Sequence, residues 1–103
     1  MTFQELVEKL IEKTENDTYK WEYQKENQYR LVVPDGSVSI EKVFNPIHAS
    51  YCYEVRLYDK DSCFARYDSQ KGNEAQFVSL FKAVVSNRSR AIEKKIDAVF
   101  GGI

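Results

Sequence analysis

A strictly alternating stretch in the middle of the chain, Tyr51 to Asp68, constrains the fold most strongly. In YCYEVRLYDKDSCFARYD, an apolar or aromatic residue occupies every second position up to Leu57, turn-forming residues follow, and a second extended run returns. Because successive side chains of a strand point to opposite faces, the pattern predicts an antiparallel β-hairpin with one buried face. The expected cross-strand partners are Leu57 with Cys63, Val55 with Ala65, Tyr53 with Tyr67 and, on the opposite face, Glu54 with Arg66.

The same two-residue period precedes the hairpin and predicts three further strands. The sequence PDGS at residues 34–37 is typical of a turn, because Pro fixes φ and Gly accepts positive φ. Adjacent apolar residues at Val43 and Phe44 indicate a bulge or an edge position. The expected strands cover residues 19–24, 29–33 and 38–44.

Two amphipathic helices flank the predicted strands. The first begins at Thr2, where the T-x-x-E spacing to Glu5 is typical of a capping box, and it ends near residue 16. The second begins after Asn73, which has Gln76 in the capping-box position. Apolar residues then recur at three- and four-residue spacing as far as Phe100, and we expect this stripe to face the sheet.

The predicted order is a helix, a five-stranded antiparallel meander and a long helix. Short connections favour antiparallel neighbours, and the two apolar helical stripes need a common sheet face to cover. We therefore expect one α+β domain over residues 1–103, with two layers and with the N-terminal and long C-terminal helices packed on one face. Weak helix formers around Asn87 leave open whether the long helix is continuous or broken there.

The composition indicates a soluble domain, since hydrophobic residues make up 43% and charged residues 30% of the chain. No apolar run approaches the ~20 residues of a membrane span, and the N-terminus lacks a signal-peptide pattern. These features predict a cytoplasmic protein without a membrane partner. Cys52 and Cys63 fall on opposite strand faces in the expected register, so both are predicted to be free thiols.

No group of residues has the pattern of a catalytic, metal or cofactor site. The soft metal ligands are His48, Cys52 and Cys63, whose spacing fits no common zinc pattern. A metal shared between two chains through His48 stays open. The chain has one histidine, no G-x-S-x-G motif and no glycine-rich phosphate loop, which argues against nucleophilic catalysis and nucleotide binding. We therefore expect no catalytic residue, no metal, no cofactor and no enzymatic activity.

The second helix carries an excess of positive charge. Residues 71–103 hold six basic and three acidic side chains, whereas residues 1–70 hold nine basic and thirteen acidic ones. Helix surfaces normally mix signs, because opposite charges four residues apart stabilise a helix by roughly 0.2–0.5 kcal/mol. A row of one sign suits phosphates or an acidic protein surface, and the alternative is an ordinary solvated face. Its members are Lys82, Arg88, Arg90, Lys94 and Lys95.

The outer face of the hairpin is the second candidate surface. The expected register directs Tyr58, Phe64 and Arg66 away from the core. Aromatic side chains are enriched at interfaces because they offer a large, rigid contact area. We therefore predict that these three residues contribute to partner binding together with the basic row. We expect the helix to dominate, because folding does not explain its one-sign charge.

The segment YEVRLYDKDSCFARYDSQKGNEAQFVSLFKAV, residues 53–84, resembles a group of small bacterial and mobile-element proteins of mostly unassigned function, and the likeness extends over roughly residues 51–100. The shared pattern is a strand ending in a Tyr-Asp turn, a return strand, D-S and G-N pairs, and a helix containing L-F. The chain is also similar in general character to phage-encoded anti-CRISPR inhibitors, which implies binding to a Cas nuclease such as Cas9. Our hypothesis from the sequence is a non-enzymatic protein-binding module that inhibits a host defence nuclease. The alternative hypothesis is a nucleic-acid-binding protein that uses its basic C-terminal helix.

Overall fold

The fold is an open five-stranded sheet with two helices packed against it. The computed structural model describes all 103 residues, Met1–Ile103. Neighbouring strands are antiparallel and lie in chain order across the sheet, which confirms the predicted α+β meander. The elements are α1 (Phe3–Glu15), β1 (Glu22–Lys25), β2 (Gln28–Val33), β3 (Gly36–Asn45), β4 (Ser50–Asp59), β5 (Ser62–Asp68), a 3₁₀ turn (Ser69–Lys71) and α2 (Glu74–Phe100).

The core fills the space between the helices and one face of the sheet. Trp21 is its largest fully buried side chain, and the central strands contribute Ile40 and Val55, which have no exposed surface. Full burial of a large apolar side chain stabilises the folded state by roughly 1.5–3 kcal/mol. The core cluster consists of Val7, Leu10, Trp21, Leu31, Val38, Ile40, Val55, Leu57, Phe77, Leu80 and Val84.

The two helices begin in different ways. The side chain of Thr2 accepts a hydrogen bond from the Glu5 amide at 3.1 Å, which confirms the predicted start of α1. Asn73 precedes α2 with a left-handed φ of 57°, and its side chain makes no capping hydrogen bond. The capping box predicted at Asn73 and Gln76 is therefore wrong. Asn tolerates this backbone conformation, and here it serves to turn the chain into the helix.

The hairpin of β4 and β5 closes in a tighter turn than the sequence indicated. Asp59 lies opposite Ser62, and Lys60 adopts a φ of 55° in the two-residue turn between them. Because the turn is shorter than predicted, each residue of β4 near the turn pairs with a different residue of β5. The predicted pairing of Leu57 with Cys63 is therefore wrong, and Cys63 is exposed.

A β-bulge at Phe64 then restores the core-facing alternation of β5. Leu57 lies opposite Ala65, and Val55 lies opposite Tyr67. Each predicted partner is therefore wrong by two residues along β5. The extra residue on β5 keeps Ala65 and Tyr67 on the core side of the sheet, where Ala65 packs against the core and the Tyr67 ring stacks on Phe3 at 3.6 Å. Phe64 itself is left 65% exposed.

The outer-face pair of this hairpin is diagonal and not directly opposite. Glu54 lies opposite Asp68, and Arg66 lies opposite Arg56. A carboxylate oxygen of Glu54 is nevertheless 3.7 Å from Nε of Arg66, and Glu54 also binds Nε of Arg56. The predicted direct pairing is wrong, but the predicted contact between these two charges is present.

Two other strand boundaries differ from the prediction. β1 begins at Glu22, because the amide of Trp21 binds the side chain of Asn87 at 3.2 Å and is not free for sheet pairing. β3 pairs with β4 without interruption over Gly36–Asn45, so no bulge occurs at Val43. Pairing with β2 ends at Glu41, so Val43 and Phe44 lie at a local edge of the sheet, which confirms the edge alternative. β3 is the central strand of the sheet.

Helix α2 is continuous through Asn87. Its 27 residues correspond to ~40 Å at 1.5 Å per residue. All its buried residues lie at or before Asn87, and every residue from Ile92 to Phe100 is exposed. We call residues 92–100 the projecting segment. The longest dimension of the molecule is 49 Å, which accommodates this helix at full length.

Candidate partner-binding site

A buried asparagine connects α2, just before the projecting segment, to the end of α1 and the loop that follows it. Asn87 is 3% exposed, and its Oδ1 accepts a hydrogen bond from the Trp21 amide at 3.2 Å. Its Nδ2 donates to the carbonyl oxygens of Tyr19 and Thr14, at 2.8 and 3.3 Å, and to the carboxylate of Asp17 at 3.0 Å. Backbone groups at a helix end need such partners when they are removed from water. The polar residue that indicated a break in α2 therefore positions the helix.

Arg90 forms a second clamp at the same place. Its Nε donates to both carboxylate oxygens of Asp17 at 2.9–3.0 Å, and Nη2 donates to Asp17 and to the carbonyl oxygens of Thr14 and Glu15 at 2.8–3.4 Å. This arrangement lowers the pKa of Asp17 and raises that of Arg90, in each case chiefly through the side-chain hydrogen bond between them. Arg90 therefore holds the loop after α1, a role that its place in a basic row does not indicate.

The other members of the predicted basic row differ in their contacts and in their exposure to solvent. Arg88 donates from Nη1 to the Trp21 carbonyl oxygen at 3.3 Å, and its Nε is buried. Lys82 is exposed beside a shallow depression that also includes Arg90. Lys94 and Lys95 are exposed on the projecting segment. Two of the five residues are thus tied to the body of the protein, and three present charge to the solvent.

Lys94 and Lys95 line a cleft of about 290 Å³ between α2 and the connection from α1 to β1. Lys20, on that connection, joins them, although no pattern in the sequence indicates its role. None of these three lysines takes part in an ion pair. We call this site the basic cleft. It is lined by Asp17, Lys20, Asn87, Arg90, Ala91, Lys94 and Lys95.

An apolar stripe runs along the projecting segment. Their helical spacing predicted that these residues continue the core-facing stripe of α2, and this prediction is wrong. The core-facing positions continue from Asn87 to Ala91 and Lys94, and Ile92 lies ~100° around the helix from Ala91. The stripe consists of four side chains with exposed fractions of 50–59%: Ile92, Ile96, Val99 and Phe100.

The outer sheet face contains the other predicted partner-binding residues. The ring of Tyr58 lies 5.4 Å from the guanidinium carbon of Arg30, and Tyr58 is half-buried. Phe64 and the side chain of Arg66 are 65% and 62% exposed. Arg66 is close to Glu54, so its charge is partly compensated. This face offers isolated contacts and no continuous apolar strip.

The turn between β3 and β4 is a further exposed apolar feature, which was not predicted from the sequence. Phe44 and Tyr51 meet edge to face at 5.3 Å across the hairpin, and Ile47 at its tip is 87% exposed. Lys42 lies over the Tyr51 ring at 4.7 Å. The irregular alternation at Val43 and Phe44 was interpreted as a change in strand geometry. It also leaves the Phe44 side chain on the surface.

Three further properties of the molecule concern metals, membranes and its thiols. No group of three or more His, Cys, Asp or Glu side chains is placed to hold a metal ion. No helix combines the length and the apolar character needed to cross a membrane. Cys52 is buried, and burial is the main cause that raises the pKa of its thiol.

Comparisons with known proteins leave the chain without an assigned relative. No protein-family model, no curated protein and no solved structure matches it. Function is therefore inferred from the surfaces described above.

Proposed function

We propose that this protein acts by binding another protein through the projecting segment of α2, without catalysis. The observation that supports the proposal is the apolar stripe, in which four large side chains on one helical face have no partner within the chain. Exposed apolar side chains grouped on one face mark interaction surfaces, whereas isolated ones are ordinary. An amphipathic helix that docks in a groove uses this three- and four-residue spacing.

The charges beside the stripe define the chemistry of the partner. Lys95 lies beside the stripe, ~60° around the helix from Ile92, and has no ion-pair partner, whereas Lys94 lies on the opposite side of the helix. A complementary surface is an apolar groove with carboxylates along one rim. Such charges mainly steer the encounter, and the apolar stripe supplies most of the affinity.

The experiment is quantitative capture from a lysate of the organism that encodes the chain. Val99→Ser with Phe100→Ser removes half of the stripe, and Val32→Ser with Phe64→Ser is the matched control on the sheet. Both valines are 59% exposed, and the phenylalanines are 56% and 65% exposed, so the two variants lose similar apolar surface. We expect the helix variant to reduce capture of the partner by about tenfold or more and the sheet variant to leave it nearly unchanged.

Three results would contradict the proposal. Failure of the wild-type protein to capture any partner at micromolar concentration would exclude the binding function. Equal loss in both variants indicates non-specific adhesion through apolar surface. Loss in the sheet variant alone transfers the site to the outer face with Tyr58, Phe64 and Arg66. Melting temperatures of both variants, measured in parallel, identify any loss that is due to unfolding.

The resemblance to anti-CRISPR inhibitors supplies a specific candidate for the partner. Inhibition of a Cas nuclease such as Cas9 stays a prediction, and DNA cleavage by the purified guide-loaded nuclease tests it. We expect cleavage to fall in the presence of excess wild-type protein and to recover with Val99→Ser and Phe100→Ser. Undiminished cleavage at saturating protein would remove this class of partner and leave the proposal of protein binding in place.

Nucleic-acid binding through α2 is the second candidate. The observation in its favour is that Lys82, Lys94 and Lys95 carry exposed, unpaired charge along one helix. Binding of this kind weakens steeply as salt rises, because phosphate contacts release counterions. Titration of fluorescent DNA and RNA over a range of salt concentrations tests it, and no binding at low salt would exclude it.

A further inference from the structure

The basic cleft has features of a compact anion site that are separate from the apolar stripe. Four cationic side chains line it, namely Lys20, Arg90, Lys94 and Lys95. The only carboxylate in the lining, Asp17, already binds Arg90 through Nε and Nη2. None of the three lysines forms an ion pair, although the charge of Lys94 contributes to lowering the pKa of Asp17, and an anion between the lysines would offset their mutual repulsion.

The Arg90 guanidinium is held in place with donors to spare. Nε and Nη2 make all of its hydrogen bonds within the chain, and Nη1 makes none. Nη1 is not among the buried atoms that lack a hydrogen-bond partner, so it is accessible to solvent or to a ligand. A guanidinium fixed by a carboxylate loses little side-chain entropy when it binds an oxyanion. The lysine side chains add mobile point charges around it.

We propose that the basic cleft binds a terminal phosphate group. The volume of about 290 Å³ is at the lower limit for small-molecule sites, and its cations come from two segments, α2 and the connection before β1, that line one space. A duplex backbone needs a track of charges, whereas a terminal phosphate carries up to two charges on three oxygens at one point. The lining contains no aromatic ring and only one apolar residue, Ala91, so it offers nothing to recognise a base.

This site does not depend on the protein-binding function. Its ligand is either a small free phosphate compound or the 5′ end of a nucleic acid, and both present the same group. Inorganic pyrophosphate is the probe for the first source. A single-stranded oligonucleotide with a 5′ phosphate is the probe for the second, and the same oligonucleotide without that phosphate is its control.

The test measures binding to the full chain by titration of backbone amide resonances at constant ionic strength. The site variant is Lys20→Gln with Lys94→Gln, and the control is Lys9→Gln with Lys13→Gln, two exposed lysines of α1 outside the cleft. We expect saturable binding of at least one phosphorylated probe, with shifts near Ala91. The dissociation constant should rise about tenfold or more in the site variant and stay within about twofold in the control.

The probes also identify the source of the phosphate. Binding of pyrophosphate alone supports a free phosphate compound, and preference for the phosphorylated oligonucleotide supports a nucleic-acid end. Equal binding of both oligonucleotides would overturn the proposal, because the internal backbone would then be the ligand. Absence of saturable binding, or equal weakening in the control variant, would also overturn it. The spectra of the two variants establish in the same measurement that each is folded.

Discussion

Replacement of Asn87 by alanine tests the most unusual feature of the core. The substitution removes four hydrogen bonds and leaves two backbone groups without another partner in the chain, the amide of Trp21 and the carbonyl of Tyr19. Thr14 keeps a donor because Arg90 also binds its carbonyl oxygen. Each newly unpaired buried group costs about 1–3 kcal/mol, so we expect a loss of roughly 2–5 kcal/mol in the free energy of unfolding.

That loss is large compared with the roughly 5–15 kcal/mol typical of a domain of this size. The assay is urea unfolding followed by fluorescence of Trp21, the only tryptophan and 1% exposed in the folded chain. Ser86→Ala, at an exposed position one residue away, is the control and should change stability by less than about 0.5 kcal/mol. A change of that small size in Asn87→Ala would refute the assigned role, because water would then be shown to satisfy the exposed backbone groups.

Three further predictions concern the core, the ion pair and the thiols. Leu80→Ala should lower the free energy of unfolding by about 2–5 kcal/mol in the same urea assay, because Leu80 is fully buried. The hydrogen bond from Arg90 lowers the pKa of Asp17 in the folded state, so its stabilisation is present above the unfolded pKa of about 3.9 and is lost as pH falls through the folded value. Arg90→Gln should therefore weaken the dependence of melting temperature on pH below 4. The same pH dependence in the variant and the wild type would contradict a stabilising contact between Asp17 and Arg90. Cys63 is exposed whereas burial raises the pKa of Cys52, so a disulfide reagent should modify Cys63 rapidly and Cys52 only on unfolding, as read by mass spectrometry of the modified peptides.

The element order follows from local patterns that act over short distances. Alternation over Tyr51 to Leu57 and helical spacing in the segments at either end determine which segments form strands and helices. Short connections then leave the meander as the simplest arrangement. These rules depend only on neighbouring residues, so the sequence was sufficient to predict the α+β architecture.

Register and side-chain partners were not predictable in the same way. The two-residue turn requires a positive φ at Lys60, and the bulge at Phe64 then shifts the register so that Ala65 lies opposite Leu57. Neither has a strong sequence signal, since Gly and Asn are the residues that usually mark positive φ. The face assignment of Ala65 and Tyr67 was nevertheless right, because burial of the apolar face selects the register that satisfies it.

The functional surfaces depended on contacts between distant parts of the chain. Arg90 reaches Asp17 across 73 residues of sequence, and this contact changes it from a member of an exposed basic row into a clamp. Lys20 joins Lys94 and Lys95 only because Asn87 brings the two segments together. The apolar periodicity of α2 did not indicate that the core ends at Asn87. Helical spacing shows which residues share a face, but it does not show how far the opposing sheet extends.

Hydrogen–deuterium exchange of the wild-type chain with and without its captured protein partner tests the central claim most directly. The projecting segment is helical but packs against nothing in the free chain, so its amides should exchange through local opening, and docking of the apolar stripe in a groove should slow that exchange. We predict that protection on partner binding is greatest over residues 92–100 and is small over β4 and β5. Protection confined to β4 and β5, with residues 92–100 unchanged, would contradict the account and assign the interaction to the outer face of the sheet.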